Sequence, residues 1–215
     1  METFSDYLKD KNIIIVGPSQ HVYDDCKEID VNSYDVIVRL NKHFKYKPGD
    51  HKIVGKRTDV LYHCLNQDQI NLEDLKLIKS NNIRLITRNE INEKNIKNPK
   101  IGNFISLNKK VNLDYDCIPY DFFKDLKTKL KCNPSTGVLT IMHLLSFEIK
   151  SLTVVGFDFY ETLYFNKKDD KFLKTIQTNK VAGHNPKSQL AFIKDVYKND
   201  ERFKAVGRLK TILES

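Results

Sequence analysis

The chain contains no apolar run approaching the ~20 residues that a membrane-spanning helix needs. Its opening, Met1-Glu2-Thr3-Phe4-Ser5-Asp6, lacks the basic-then-apolar layout of a secretory leader. The two absences argue against most secreted and integral-membrane classes and lead to the expectation of a cytoplasmic protein. No CxxC pair joins the four cysteines, Cys26, Cys64, Cys117 and Cys132, so metal-site spacing is missing. Reduced, mostly buried thiols are expected instead. Neither a GxGxxG fingerprint nor a Walker-type Gly-Lys-Ser/Thr loop occurs, which weakens the case for a nicotinamide cofactor or a P-loop nucleotidase. No internal repeat or low-complexity tract stands out.

What is present suffices for a sizeable core. Forty per cent of the 215 residues are hydrophobic, with 12 Phe and 10 Tyr, and the length fits one domain over 1–215. Lys and Arg outnumber Asp and Glu by 36 to 28, a net charge of +8. Such an excess favours anionic partners: a nucleotide, a nucleic acid, or an anionic membrane surface on which the protein associates peripherally. The lysines, however, are scattered among Asn, Ile and Asp, and only three alanines occur. That pattern reads as compositional bias and a solvated surface. Nucleic acid is therefore not an expected partner, and a non-catalytic basic nucleotide- or nucleic-acid-binding protein is the alternative from another class.

Short apolar runs ended by turn residues mark the organisation. Ile13-Ile14-Ile15-Val16 before Gly17-Pro18 reads as a central parallel strand. Asp35–Leu40, Asp59–Leu65, Ile83–Thr87 and Leu152–Gly156 read likewise. Leu72, Leu75 and Ile78 predict a short amphipathic helix, and Tyr120–Leu130 and Pro186–Tyr197 two more. Pro134-Ser135-Thr136-Gly137 opens an apolar helix over Val138–Phe147, with Pro and Ser placed as a helix start requires. The polar stretch from about Asn89 to Asn112 is expected to be the least structured, with a short strand at Phe104–Leu107. Strands alternating with helices give an α/β fold, a single Rossmann-like, mainly parallel sheet flanked by helices. In such sheets ligands sit at the carboxyl ends of the strands.

Five segments, three at strand ends and two at helix starts, carry polar chemistry. Gly17-Pro18-Ser19 lets backbone N–H groups approach a phosphate or ribose and adds a hydroxyl; a tight strand exit is the plain alternative. Asn41, after Arg39-Leu40, offers a donor and an acceptor to a base or ribose edge, or simply caps a loop. Ser135, Thr136 and Gly137 combine two hydroxyls with a helix N-terminus, an anion site or an ordinary N-cap. Gly156-Phe157-Asp158-Phe159-Tyr160, with Tyr164 beyond, supplies phenols able to donate to a departing phosphate, or else core aromatics. His184, in Gly183-His184-Asn185-Pro186, is an imidazole able to take a proton from a sugar hydroxyl at neutral pH.

Taken in order, these segments resemble the sialyltransferases. Ile29-Asp30 and Asp35-Val36-Ile37-Val38-Arg39-Leu40-Asn41 are similar to the second half of the long motif of the animal-type enzymes, glycosyltransferase family 29. Gly55-Lys56-Arg57-Thr58-Asp59 resembles the segment after it, Pro134–Gly137 and Gly156-Phe157-Asp158 the start and end of the short motif, and Gly183–Pro186 the terminal His motif. The bacterial enzymes of family 42 show similar Gly-Pro-Ser, Ser-Gly, Asp-Phe-Tyr and Gly-His elements. The likeness spans about residues 12–197. The first turn here has no Asn, Cys132 has no evident partner, and Gln189 stands where a Glu often follows the His. The resemblance implies a GT-A-like variant of the α/β fold and an inverting transfer to a glycan or glycolipid hydroxyl, with no metal and no cofactor. The implied donor is CMP-sialic acid, or CMP-Kdo, which shares the CMP and the carboxylate. It further implies that Gly17, Pro18, Ser19 and Asn41 hold the nucleotide and that Ser135, Thr136 and Gly137 meet ribose, phosphate or sugar carboxylate. Asp158 belongs to the donor-binding set, Tyr160 and Tyr164 steady the leaving phosphate, and His184 is the general base.

Overall fold

The computed structural model describes residues 2–45, 49–65, 70–88, 97–162 and 183–215. Seven strands, β1 (Asn12–Val16), β2 (Val36–Leu40), β3 (Val60–His63), β4 (Arg84–Thr87), β5 (Tyr115–Cys117), β6 (Ser151–Val155) and β7 (Phe203–Ala205), form one sheet in the order β5-β4-β3-β2-β1-β6-β7. Every pairing is parallel. β1 is paired on both sides and needs hydrophobic residues on both faces, which is why its run is continuous rather than alternating.

Successive residues of that run serve opposite layers. Ile13 and Ile15 join a core with α6 (Tyr120–Leu130), α7 (Thr136–Leu145), α8 (Pro186–Asn199) and α9 (Arg208–Glu214), with α1 (Phe4–Leu8) contributing Leu8. Ile14 and Val16 face Val22 of α2 (Val22–Asp25) and Val54 of α3 (His51–Val54). A third cluster seats α4 (Leu72–Ser80) and α5 (Pro99–Val111) on Leu61 and Leu85. Helices thus cover both sheet faces, and the chain reverses its direction of travel across the sheet between β1 and β6.

One expectation is overturned. The stretch read as least structured, with a strand at Phe104–Leu107, contains the 13-residue helix α5. Asn98 caps it by accepting from the Lys100 N–H at 3.0 Å, and Pro99 occupies its first turn. Ile101 and Phe104 are buried at helical spacing, with Leu107 and Val111 packed against the same cluster. The thiols also differ from expectation: none of the four forms a disulfide among the described residues, but only Cys26 is buried. Among the described residues no helix is long and apolar enough to cross a membrane.

Within the α6–α7 layer lies a buried imidazole with a purely structural setting. His143 Nδ1 shares a 2.8 Å hydrogen bond with the Tyr62 hydroxyl, and the ring packs among Phe4, Phe122 and Phe147. Burial pulls its pKa from the ordinary 6.5 to about 4, with Asp116 opposing. Between those two values the unfolded chain binds a proton that the folded chain refuses. Stability is therefore complete above pH 6.5 and falls as pH drops toward 4, by about 3 kcal/mol at most. Thermal melts from pH 7 to pH 4 should show that loss in the native protein. His143→Asn, which keeps a polar atom near the Nδ1 position but does not titrate, should flatten the slope; an unchanged slope would rule out His143 as its source.

Candidate active site

The direction reversal between β1 and β6 is where open parallel sheets place ligands, because the connections there diverge to opposite faces. Gly17–Ser19 leaves β1 at this point and Gly156–Tyr160 leaves β6 beside it. Gly17 N–H donates to the Val155 carbonyl at 2.8 Å and Ser19 N–H to the Gly156 carbonyl at 2.9 Å, locking the exits together. Phe157 then inserts its ring between Gly17 and Gly137. A Cβ at either glycine would run into that ring. Both glycines are thus required by packing, and the Phe157 ring lies against the space that a Cβ would take.

The side chains of the first two segments are largely engaged in holding the exits. Ser19 is buried and its Oγ accepts from the His21 N–H at 3.1 Å; Pro18 is half-buried. Arg39 is fully buried, donating from Nη2 to the carbonyls of Val54, Gly55 and Arg57 and from Nε to Thr58 Oγ1. It therefore ties Gly55–Thr58 to β2. Asn41 adopts a left-handed φ of 51°, and its Oδ1 accepts from the Cys64 N–H at 3.0 Å. The Asn41 Nδ2 donates no hydrogen bond among the described residues, and the residue is half-buried.

Ser135 is the N-cap of α7, its Oγ accepting from Val138 N–H at 3.3 Å. The first-turn N–H groups of Thr136 and Gly137 stand outside the helix's own ladder. Beyond β6, Asp158 is buried and accepts from Tyr160 N–H at 3.1 Å, from Thr162 N–H at 3.0 Å and from the Thr162 hydroxyl. Burial pushes its carboxyl pKa up, and these bonds pull it down. They also hold Phe159 and Tyr160 at φ of 49° and 70°. Left-handed backbone costs about 1–2 kcal/mol per non-glycine residue. Asp158 is thus a positioning residue for Tyr160. Tyr164 lies outside the described residues.

His184 is joined to the α7 start. Its Nδ1 lies 2.7 Å from the Asn133 carbonyl, and Asn133 N–H donates back to the Gly183 carbonyl at 3.1 Å. A carbonyl can only accept, so Nδ1 carries the proton and Nε2 presents a lone pair. Burial lowers the His184 pKa below its ordinary 6.5; the Asn133 contact works against this and the Arg88 charge with it. The imidazole is accordingly neutral at pH 7, the state a base needs. Gln189, buried in the first turn of α8, accepts from Ser135 N–H at 2.9 Å. Ser188 Oγ donates to the Leu130 carbonyl at 2.7 Å, so α8 is fastened along the whole 130–135 turn.

The structure therefore gathers Gly17, Gly137 and Phe157 in direct contact, and joins His184 to the turn that starts at Asn133. Asn133, Gln189 and Phe157 hold these segments together and were missed as positioning groups. Arg88 directly follows β4, stacks on Phe123 with its guanidinium carbon 5.0 Å from the ring centroid, and lies within electrostatic range of Cys64, Tyr160 and His184. Among the described residues no three His, Cys, Asp or Glu side chains cluster to hold a metal. A cavity of about 520 Å³ lies elsewhere, lined by Cys26–Asn32 with Lys52 and Ile53, and includes none of the strand-exit residues.

No protein-family model matches the chain, and no curated protein sequence does. Solved structures do. A mammalian sialyltransferase in complex with Gal-beta-1-3GalNAc-ortho-nitrophenol superposes with a TM-score of 0.63 at 13% identity, covering 91% of this chain and 69% of that one. The monofunctional alpha-2,3-sialyltransferase Cst-I from Campylobacter jejuni gives 0.56 at 17% identity, over 92% and 76% of the two chains. The sialyltransferase CstII from Campylobacter jejuni, in complex with the substrate analogue cytidine-5'-monophosphate, gives 0.51 at 19%, over 94% and 87%. The all-parallel α/β fold of this chain is thus similar to the fold of these sialyltransferases.

Proposed function

We propose that this chain transfers a sialic-acid-type sugar from a CMP-activated donor to a glycan hydroxyl, with inversion and without a metal. The observation that carries the reading is the hydrogen bond from His184 Nδ1 to the Asn133 carbonyl. It fixes a neutral imidazole beside the helix start formed by Ser135, Thr136 and Gly137, with the donor-side turns tied to that same helix through Phe157. The fold it shares with a CMP-bound sialyltransferase supports the donor class.

In this reading Gly17, Pro18, Ser19 and Asn41 line the nucleotide, with Asn41 Nδ2 a side-chain donor to it. The α7 N-terminus faces the donor's anionic part. The acceptor oxygen bonds to the anomeric carbon while its proton passes to His184 Nε2. The bond from that carbon to the phosphate oxygen breaks, and CMP leaves with the electron pair. Tyr160, held by Asp158, donates to the phosphate, with Tyr164 as its second donor. One departing phosphate monoester is a charge that phenols and helix N–H groups can stabilise.

A thermal-shift screen of CMP, UMP, GDP and NAD, each with magnesium and with chelator, tests the donor. CMP at a hundredfold excess over its Kd should raise Tm by about 5–10 °C regardless of magnesium. Stabilisation by UMP or GDP only with magnesium, and none by CMP, would overturn the reading. For the base, His184→Ala should lower kcat by about 10²–10⁴-fold and leave CMP affinity within about twofold. The acid limb of kcat/KM in the native enzyme should have its midpoint below 6.5, the direction of the His184 shift. Native-like turnover by the variant would remove the imidazole from the mechanism.

A further inference from the structure

We propose that Arg88 is the carboxylate clamp of this site, its guanidinium taking the carboxylate that a 2-keto sugar acid carries on its reacting carbon. The proposal rests on the transfer reading above and assigns a residue that the motif resemblance does not include. Arg88 N–H donates to the His63 carbonyl at 3.0 Å, which places the residue at the carboxyl edge of the sheet, among the strand exits. Its guanidinium carbon lies 5.0 Å from the Phe123 ring centroid, so α6 orients the side chain without neutralising it.

The other five arginines all have polar partners. Arg39 donates to backbone carbonyls, Arg57 pairs with Asp59, Arg84 with Asp116, Arg202 with Asp200 and Arg208 with Glu161. The Arg88 guanidinium alone makes no hydrogen bond or ion pair among the described residues, although the side chain is half-buried. Withdrawing a cation from water without a counter-charge is costly, and a site that tolerates it is prepared for an anion. Arg88 is within electrostatic range of both Tyr160 and His184. In the transfer those groups serve opposite sides of the anomeric carbon, one at the leaving phosphate and one at the incoming hydroxyl. The carboxylate is bonded to that same carbon, and Arg88, set at the same carboxyl edge of the sheet and oriented by Phe123, is the cation we assign to it. The planar guanidinium fork matches a carboxylate with two parallel hydrogen bonds.

The phosphate is the competing anion on the same donor, and a binding experiment separates the two. Calorimetric titration of the full chain, Arg88→Met and Arg88→Lys should use CMP and a transfer-incompetent 3-fluoro CMP-sialic acid. Met keeps the aliphatic stem over Phe123 and removes the charge; Lys keeps the charge and loses the fork, which maintains the test if the Met variant folds poorly. The expected result is about tenfold or greater weakening for the sugar-bearing analogue with Arg88→Met, CMP affinity held within about twofold, and an intermediate loss with Arg88→Lys. Equal weakening for CMP and the analogue would reassign Arg88 to the phosphate and overturn the clamp. Unchanged affinity for both would remove Arg88 from the donor while leaving the transfer reading intact. Failure of the native chain to bind CMP at all would overturn that reading, and the clamp with it.

Discussion

The ring of Phe157 between Gly17 and Gly137 is the contact on which the arrangement of the site depends. Three chain segments far apart in sequence meet at this ring: the exit of β1, the exit of β6 and the first turn of α7. Each contributes something the others lack. Two supply the sheet edge at which the connections diverge, and the third supplies a helix N-terminus. A side chain larger than hydrogen at either glycine would drive the ring out and separate the edge from the helix. Gly156 adds a further constraint, since a Cβ there would strike Val22 and the Gly17 carbonyl oxygen. Close packing of this kind fixes distances to a fraction of an ångström, which loops alone do not.

From that contact the chemistry follows outward. α7 begins at Ser135, and the turn before it is held by α8 through Gln189, Ser188 and Asn133. His184 lies just ahead of α8, so the same bonds that dock α8 also aim the imidazole. A Glu at 189 would bring a formal charge into a position 1% exposed, whereas Gln accepts the same Ser135 N–H as a neutral group. On the other side, Asp158 supports two successive left-handed residues so that Tyr160 is directed from a rigid turn. In the proposed transfer, rigid support on both flanks would keep base and leaving group in line.

Much of the sheet was legible because a parallel strand covered on both faces must be largely hydrophobic: Ile13–Val16 is so throughout, and Leu152–Val155 is interrupted only by Thr153. Strands β5 and β7 were not. Each has three residues with a charged one in the middle, Asp116 and Lys204, and lies at a sheet margin where one side has no strand. Helix α5 was hidden by its Asn and Lys content: only Ile101 and Phe104 are fully buried, and the adjacent Phe-Ile-Ser-Leu letters mimic a strand. For the site, the ordered motifs pointed to the exits of β1 and β6, strands that the structure pairs side by side. Asn133 and Gln189 were illegible because their roles arise only from pairings spanning 51 and 54 residues. The glycines were legible as places of close approach; that an aromatic ring makes the approach is a fact of packing.

The central claim is that the strand exits at the β1–β6 reversal form a cytidine monophosphate pocket facing His184. A crystal structure of the protein with CMP bound tests it most directly. The base and ribose are expected against Gly17–Ser19 and Asn41, with the phosphate within hydrogen-bond distance of the Tyr160 hydroxyl and directed toward the His184 side. CMP seated instead in the cavity lined by Cys26–Asn32, or with its phosphate turned away from Tyr160 and His184, would contradict the account.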